Sequence, residues 1–252
     1  MNQGKYIFSQ IMGLISHKQF QTLVSRHKGD YKVKDFSCWK QFLCMAFGQL
    51  THRESLSDTM LCLKSNADKT YHLGIGNIVS KRTLSVANEN SSYLIYYDLA
   101  MLLIKQAKQL YIDDSNLEIE LENNVFAIDA TTIDLCLSTF YWATFRSTKG
   151  GIKLHTQLDL KTSIPEFIYF SAACVHDVNA LDFITFQANS FYIMDRGYVD
   201  YKRLDRIDCC GAFYITRAND NMTFRRFKSF VHDKAKGVLC YHSVLLNIYY
   251  AT

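Results

Sequence analysis

The sequence has little of what marks secreted, membrane-spanning or disordered proteins. Its strongest apolar run, around residues 99–104, is far shorter than the ~20 residues that a membrane helix needs. Residues 1–5 lack the basic start and apolar stretch of a signal peptide. No low-complexity tract interrupts a composition of 48% hydrophobic and 21% charged residues, which is typical of globular proteins. These absences predict a folded cytoplasmic protein, and 252 residues suffice for about two domains.

The eight cysteines show none of the paired C-x2-C spacings of a tetrahedral zinc site. They stand in mostly apolar surroundings, which predicts reduced residues in the core. The adjacent pair Cys209 and Cys210 is the one place where redox chemistry could occur. Adjacent cysteines in an apolar run are more often buried, so we expect these two to be buried as well.

Basic and acidic residues are unevenly distributed along the chain. Residues 1–92 carry twelve Lys and Arg against six Asp and Glu, whereas residues 93–252 carry sixteen against eighteen. A basic module beside an acidic one is what a protein needs to hold a phosphate backbone with one part and metal ions with the other. An ordinary solvated surface would carry the same excess, so charge alone leaves both interpretations open.

The first 112 residues are predicted to form a helical domain, because apolar side chains recur every three or four positions. The capping box Thr51-His-Arg-Glu54 predicts a helix that begins there. A longer helix is predicted over residues 93–111, and a polar, acidic stretch then separates it from a second domain, residues 124–252. The side chains expected to be buried in these two helices are Leu56, Met60, Leu61, Leu63, Leu94, Tyr97, Met101, Leu102 and Ile104.

A short helix after the flexible Gly74-Ile75-Gly76 is predicted to begin at Ser80, which can cap it. Its first turn contains Lys81 and Arg82, at the end of a helix that enters the major groove in a helix-turn-helix. This pattern favours DNA binding by both side chains. Short look-alikes of this motif are common, so the pattern alone does not decide the function.

Beyond residue 124 the apolar period changes to that of strands. The predicted elements are strands at 125–129, 152–160 and 166–175, a helix at 180–187, a strand at 191–194, a helix at 200–207 and a strand at 212–216. The first three strands are predicted to form an antiparallel meander, and the third follows the only proline, Pro165. The fold class is therefore α+β or α/β, with an all-helical domain before a mixed sheet with flanking helices.

Two aspartates, Asp129 and Asp195, each close an apolar strand. If the first and fourth strands adjoin, both carboxylates project at the same end of the sheet. Mg²⁺ prefers oxygen ligands and commonly takes one or two carboxylates, and two such ions about 3.5–4 Å apart promote phosphodiester exchange. The alternative is that each aspartate only starts a turn. Asp134, at an odd offset from Asp129, is expected to face away and is not assigned as a ligand.

Several segments carry a resemblance to a known family. They are residues 126–137 (FAIDATTIDLCL), 142–160 (WATFRSTKGGIKLHTQLDL), Ile164-Pro165, His176-Asp177 and 192–198 (YIMDRGY). Together they resemble the catalytic core of transposases of the insertion sequence four family. The N-terminal stretch, including residues 80–88 (SKRTLSVAN), is similar to the helical domain that precedes this core in many members.

The resemblance implies an RNase H-like core in which Asp129 and Asp195 are the first two metal-binding, catalytic acids of a DDE triad. It implies hydrolysis at the ends of an insertion sequence and attack of the freed 3′-hydroxyl on target DNA, with Mg²⁺ or Mn²⁺ as cofactor. Double-stranded DNA would be the partner, in the cytoplasm of a bacterium and associated with its nucleoid, and a homo-oligomer on DNA is left open. Gly197 is expected to adopt a positive φ. The implied DNA-binding residues are Arg146, Lys149, Lys153 and Arg196, although solvated surface positions are the alternative for the lysines.

One part of the family pattern is absent, because the third acid of the family is a late Glu and this sequence has no Glu after Glu166. Residues 243–250 resemble the β-rich segment that precedes that acid, so the resemblance implies a truncated core. A site with two acids should hold metals poorly, and we expect impaired catalysis in these 252 residues. Two alternatives stay open: a catalytically dead remnant that binds only element ends, and a different RNase H-like nuclease that uses a downstream aspartate.

Overall fold

The computed structural model describes residues 6–111, 122–135, 144–146, 149–220 and 222–246, with the backbone alone at residues 135, 144–146, 149 and 246. The chain divides into two compact units, Met1–Gln106 and Ala107–Thr252. The predicted acidic linker lies largely outside the described residues, so the domain limits 112 and 124 stay predictions. No helix in the described ranges has the length and apolar character to cross a bilayer.

The first unit is helical, as predicted, and four of its six described helices begin at a serine N-cap. Side-chain oxygens of Ser16, Ser37, Ser55 and Ser80 each accept the backbone N–H three residues on, which satisfies a donor that the first helical turn leaves free. Two apolar clusters hold the helices together, one around Leu43 and the other around Phe20. The helices are α1 (Ile7–Met12), α2 (His17–Arg26), α3 (Cys38–Leu50), α4 (Leu56–Ser65), α5 (Lys81–Asn90) and α6 (Leu94–Leu110).

The start of α4 differs from the prediction. Ser55, not Thr51, is the N-cap, and its hydroxyl oxygen accepts the Asp58 N–H at 3.1 Å. Thr51 instead ends α3, where its hydroxyl donates to the Phe47 carbonyl at 2.6 Å. With the later start, Leu61 falls on the solvent side and is 64% exposed, so its predicted burial is wrong.

The buried side of α6 also differs from the prediction. Ile95 and Leu99, one helical turn apart, are the buried residues of this helix, whereas Leu94 is 38% exposed. Almost every position from 94 to 104 is apolar, so the sequence shows no polar face that would set the rotation of the helix.

The second unit is built on a mixed sheet with the strand order β2-β3-β1-β5-β6, in which β4 also pairs with β3. The β1–β3 and β3–β4 pairs are antiparallel, whereas β1–β5 and β5–β6 are parallel. The predicted meander, the adjoining first and fourth strands and the α+β RNase H-like fold are therefore confirmed. The strands are β1 (Val125–Leu135), β2 (Thr144–Arg146), β3 (Lys149–Asp159), β4 (Ile164–Ala172), β5 (Phe191–Met194) and β6 (Phe213–Thr216).

Two short helices complete this unit. A 3₁₀ helix, Asp177–Phe183, precedes β5, where the sequence predicts a helix at 180–187. Helix α7 (Tyr201–Cys209) joins β5 to β6 and begins at its N-cap Asp200. Both pack on one face of the sheet, where the core contains Phe126, Ile128, Leu181, Tyr192, Met194, Leu204 and Ile207.

Strand β1 is longer than the sequence predicts. The parallel partner β5 pairs with it only from Val125 to Ile128, but β3 pairs with it from Phe126 to Leu135. Strand β3 supplies hydrogen-bond partners for the backbone of β1 beyond the apolar run. The strand therefore continues through residues whose sequence pattern does not predict a strand. Asp129 therefore marks the end of the parallel pairing and not the end of the strand.

The described cysteines are all free, but four of them are not core residues as predicted. Cys174, Cys209, Cys210 and Cys240 are exposed, whereas Cys38 and Cys44 are buried. The negative charge of Asp205 raises the pKa of the Cys209 thiol, which keeps it protonated and weakly nucleophilic.

A separate two-stranded ribbon follows the main sheet. It pairs β7 (Phe224–Ser229) with β8 (His242–Leu246), and a 3₁₀ turn, Lys234–Lys236, lies between them. Every residue of β7 is exposed, and aromatic and basic side chains are mixed along it. The predicted strand-like run at 243–250 is a strand as far as Leu246, and its remainder lies outside the described residues.

Candidate metal centre

Asp129 and Asp195 occupy adjacent positions on neighbouring parallel strands. The register of β1 and β5 pairs Ala127 with Ile193 and Ile128 with Met194, and each aspartate is the next residue along its strand. Neighbouring strands run about 4.8 Å apart, so the two side chains leave the backbone close together. Both aspartates are exposed. The structure thus brings together the two acids that the sequence analysis assigns as metal ligands.

Each carboxylate is oriented by a backbone N–H. Asp129 Oδ1 accepts the Ala130 N–H, and Asp195 Oδ1 accepts the Gly197 N–H, both at 2.8 Å. The Asp195 backbone is held as well, because Thr216 Oγ1 on β6 donates to its carbonyl at 3.0 Å. Within the described ranges no other donor is hydrogen-bonded to either carboxylate, so one oxygen of each remains for an incoming ligand.

Gly197 allows a close contact with Asp195 and does not provide the predicted positive φ. Its φ is not in the left-handed region, so the prediction of a positive φ is wrong. Gly197 lies in the 3₁₀ turn Arg196–Tyr198, which Asp195 caps. A Cβ at this position would lie 3.0 Å from Asp195 Oδ1, tighter than almost all real contacts. The glycine therefore allows the carboxylate to fold back onto the N–H that orients it.

Tyr198 is a buried side chain whose pKa is raised by burial and by the charges of three aspartates. It is 1% exposed, and its hydroxyl has no hydrogen-bond partner among the residues described. Burial raises the pKa of this hydroxyl, and the negative charges of Asp177, Asp129 and Asp195 raise it further. The group consequently stays protonated and neutral. The 3₁₀ helix that begins at Asp177 contacts the turn Arg196–Tyr198, so Asp177 belongs to an element that adjoins the site.

Asp177 is a neighbour of the site to which the sequence analysis gives no role, although the motif His176-Asp177 belongs to the resemblance. Lys153 Nζ on β3 lies 2.9 Å from Asp177 Oδ1 and also donates to the Val175 carbonyl at 2.9 Å. The Asp177 contact is an ion pair and not a well-directed hydrogen bond, since Oδ1 satisfies no hydrogen-bond geometry. The Lys153 side chain is only 14% exposed. This arrangement favours neutralisation of Asp177 over the phosphate contact predicted for Lys153.

The other residues predicted to bind DNA fall into three groups. Arg196 is exposed beside Asp195, and its Nη1 is 3.9 Å from Asp220 Oδ2, a loose pair that leaves it accessible to phosphate. Arg146 lies in β2 and Lys149 begins β3, but their side chains are outside the description. In the first unit, the exposed first turn of α5 carries the predicted Lys81 and Arg82.

The donor set fits part of a divalent-cation site. Two carboxylates on adjoining strands offer the hard oxygen ligands that Mg²⁺ accepts together with water and phosphate. Across the described residues, no group of three or more His, Cys, Asp or Glu side chains is placed to hold a metal. Asp129 and Asp195 can therefore supply two protein ligands, and the rest of a coordination shell would come from other groups.

Removing the Tyr198 hydroxyl tests whether it is an unpaired polar group. We expect Tyr198→Phe to leave the free energy of unfolding unchanged or to raise it by about 1 kcal/mol, because a buried hydroxyl without a partner costs stability. Tyr192→Phe is the matched control, since its hydroxyl accepts the Gln187 N–H at 2.8 Å and its loss should cost about 1 kcal/mol. Urea denaturation measures both, and an equal loss in the two variants would show that the Tyr198 hydroxyl has a partner.

Comparison with known families gives matches to two domains. Residues 120–244 match the Transposase DDE domain, a range that contains β1 to β7, the start of β8 and the two aspartates. Members of this domain class depend on divalent metal ions. Residues 3–76 match a domain of unknown function, DUF4372, which spans α1 to α4 of the helical unit.

Two curated relatives are similar to part of the chain. One is the "Probable transposase for insertion sequence element IS5377" of Geobacillus stearothermophilus, 26% identical over 102 residues, or 40% of this chain. The other is the "Putative transposase y4zB" of Sinorhizobium fredii, 30% identical over 95 residues, or 38% of this chain. The matched segments cover 27% and 26% of these relatives, so the chain aligns with about a quarter of each.

Proposed function

We propose that this chain acts in DNA transposition, as part of a metal-dependent transposase of the insertion sequence four family. The observation that carries the proposal is the β1–β5 register, which puts Asp129 and Asp195 side by side at the end of their parallel pairing. The match of the surrounding residues to the Transposase DDE domain, and the similarity to two transposases, support the same reaction.

In this proposal Asp129 and Asp195 hold Mg²⁺ or Mn²⁺ at the end of the parallel strands. When bound, such ions activate an attacking water or hydroxyl and stabilise the leaving oxygen of a phosphodiester. The Gly197 N–H keeps Asp195 oriented, and Lys153 offsets the charge of Asp177, so a third carboxylate adds less repulsion at the site. Arg196, exposed next to Asp195, is positioned to contact a phosphate of the DNA.

A second candidate is a DNA-binding function without chemistry. This candidate is favoured because, within the described parts of the chain, no third His, Cys, Asp or Glu side chain forms a metal-binding group with the two aspartates. The two proposals differ in what Asp195 does. If Asp195 is a ligand of a catalytic cation, its replacement lowers the affinity for the metal. A protein that only binds DNA does not need this carboxylate.

Titration of the purified chain with Mn²⁺, followed by electron paramagnetic resonance, separates the two. We expect weak binding, with a dissociation constant of about 10⁻⁴ to 10⁻³ M, as for oxygen-ligand sites of low charge. Asp195→Asn should abolish it, because one of two carboxylates is lost. Asp134→Asn is the matched control, since Asp134 lies on the same strand, opposite Gly151 and away from β5.

The same variants are then tested for binding to duplex DNA. Unchanged DNA affinity in Asp195→Asn together with lost Mn²⁺ binding supports the metal-dependent proposal. Wild-type protein that binds DNA but no Mn²⁺ at millimolar concentration would favour the binding-only function. Equal Mn²⁺ binding by Asp195→Asn and the wild type would exclude Asp195 as a ligand.

A further inference from the structure

We propose that a groove in the helical unit, between residues 27–34 and α5, is the surface that holds the phosphate backbone of duplex DNA. The inference rests on the proposed function and adds to it the element that attaches the protein to DNA. Neither the sequence motifs nor the similarity to a domain of unknown function assigns a role to residues 27–34, which we call the lysine loop.

The groove joins the lysine loop to the predicted recognition helix. It has a volume of about 400 Å³ and is open to solvent. The loop contributes Lys28 and Tyr31 to its wall, and α5 contributes Thr83, Val86 and Asn90. Because one cavity is lined by both elements, a ligand that contacts the exposed face of α5 also meets the loop.

The lysine loop is fixed to the helical core. Asp30 Oδ1 accepts the Cys38 N–H at the start of α3, at 2.7 Å. Gly29 lies so close to its neighbours that a Cβ would be 2.5 Å from Ile95 Cδ1 and 2.8 Å from Cys38 Sγ. The one acid in the middle of the loop is therefore directed to the core. The loop presents its lysines to solvent as a preformed surface.

Two of these lysines adopt an unusual backbone conformation. Lys28 has a φ of 53° and Lys32 a φ of 59°, in the left-handed region that residues other than glycine and asparagine seldom occupy. Such a residue is strained, and its conformation persists where surrounding contacts hold it. Glycine or asparagine would fit these positions at lower cost. The backbone conformation therefore does not favour lysine at these two positions.

The two elements that form the rim of the groove carry an excess of basic side chains. Lys28 lines the groove itself, Lys32 and Lys34 are exposed elsewhere on the lysine loop, and Lys81 and Arg82 are exposed at the start of α5. Over the described ranges none of these five side chains forms an ion pair with an acid of the chain, and the exposed acids beside them are Asp35 and Glu89. An excess of unpaired basic side chains along a groove complements a polyanion such as DNA. Tyr31, with Lys32 Nζ 5.3 Å from its ring centroid, adds a flat side chain to the same rim.

The test measures how salt affects binding to a random-sequence duplex of about 20 base pairs, two turns of B-DNA. The variant replaces Lys28, Lys32 and Lys34 with asparagine, which tolerates the left-handed backbone and so preserves the loop. Each phosphate contact contributes about 0.9 to the slope of log affinity against log salt. We expect the triple variant to reduce that slope by about 2 to 3 and to weaken binding at physiological salt by at least about tenfold.

The control variant replaces Lys18, Lys64 and Lys105 with asparagine, which removes the same charge from exposed positions on α2, α4 and α6, away from the lysine loop and α5. It should retain nearly the wild-type slope, and circular dichroism establishes that both variants are folded. Equal slopes for the two triple variants would overturn the proposal, because only net charge would then matter. Wild-type protein without measurable affinity for the duplex would instead contradict the DNA partner of the proposed function, and the groove proposal with it.

Discussion

Replacing either Asp129 or Asp195 with asparagine is expected to lower DNA transposition by about a thousandfold or more. Asparagine keeps the shape of the side chain and removes its charge. A bound metal ion contributes several kcal/mol of charge stabilisation in the transition state, and about 4 kcal/mol corresponds to a thousandfold in rate. The measurement is the transposition frequency of an insertion sequence in cells, with each variant introduced into a transposase that contains this chain.

Asp134→Asn provides the matched control for this prediction. Asp134 is also an exposed aspartate of β1, but it pairs with Gly151 on β3, six positions beyond the last contact of β1 with β5. We expect transposition within about twofold of the wild type for this variant, since surface substitutions away from a site change little. A similar loss of transposition in Asp134→Asn and Asp129→Asn would mean that β1 tolerates no change in charge, and the assignment of Asp129 as a ligand would lose its support.

Gly197→Ala is expected to weaken Mn²⁺ binding by about 10- to 100-fold while leaving the fold intact. The added methyl group would lie 3.0 Å from Asp195 Oδ1, so the carboxylate must shift by a few tenths of an ångström, which weakens its contact with the N–H that orients it. Groups that orient metal ligands typically contribute this range of affinity. The cost to stability should be small, because the carboxylate can turn outward to solvent.

Two measurements on Gly197→Ala, the affinity for Mn²⁺ and the free energy of unfolding, distinguish a positioning role of Gly197 from a structural one. Manganese affinity is followed by electron paramagnetic resonance, and the free energy of unfolding by urea denaturation in metal-free buffer. A purely structural role would reduce stability and affinity together. Unchanged Mn²⁺ affinity would show that Asp195 does not need its contact with the Gly197 N–H to bind a cation.

The sequence predicts the sheet better than the helices. Short continuous apolar runs at 125–128 and 191–194 identify the two central strands, because strands paired on both sides and covered by helices are apolar throughout. Burial also aligns the two aspartates, since each directly follows the last residue that pairs β1 with β5. In α6, by contrast, nearly every residue is apolar, so only packing against neighbouring helices selects Ile95 and Leu99 for burial.

The sequence predicts the contacts around the two aspartates much less well than it predicts the strands that carry them. The contact of Lys153 with Asp177 joins residues 24 positions apart on different elements, and no local pattern encodes it. Tyr198 and Gly197 belong to a recognisable motif, but their roles depend on the distance to Asp195, which only the folded chain defines. The lysine loop is not predicted from the sequence either, since its positive φ values at Lys28 and Lys32 and the close approach of Gly29 to Ile95 and Cys38 appear only in the folded chain.

The exposed ribbon of β7 and β8 has a consequence for solubility. A strand whose aromatic side chains face water, and whose outer edge is unpaired within the described residues, can pair with an identical strand of another molecule. In β7, the basic residues Arg225, Arg226 and Lys228 are interspersed with Phe224 and Phe227. Two copies brought edge to edge would bring these cations together, and their repulsion opposes self-association. Neutralising them would turn an open ribbon into a nucleus for aggregation.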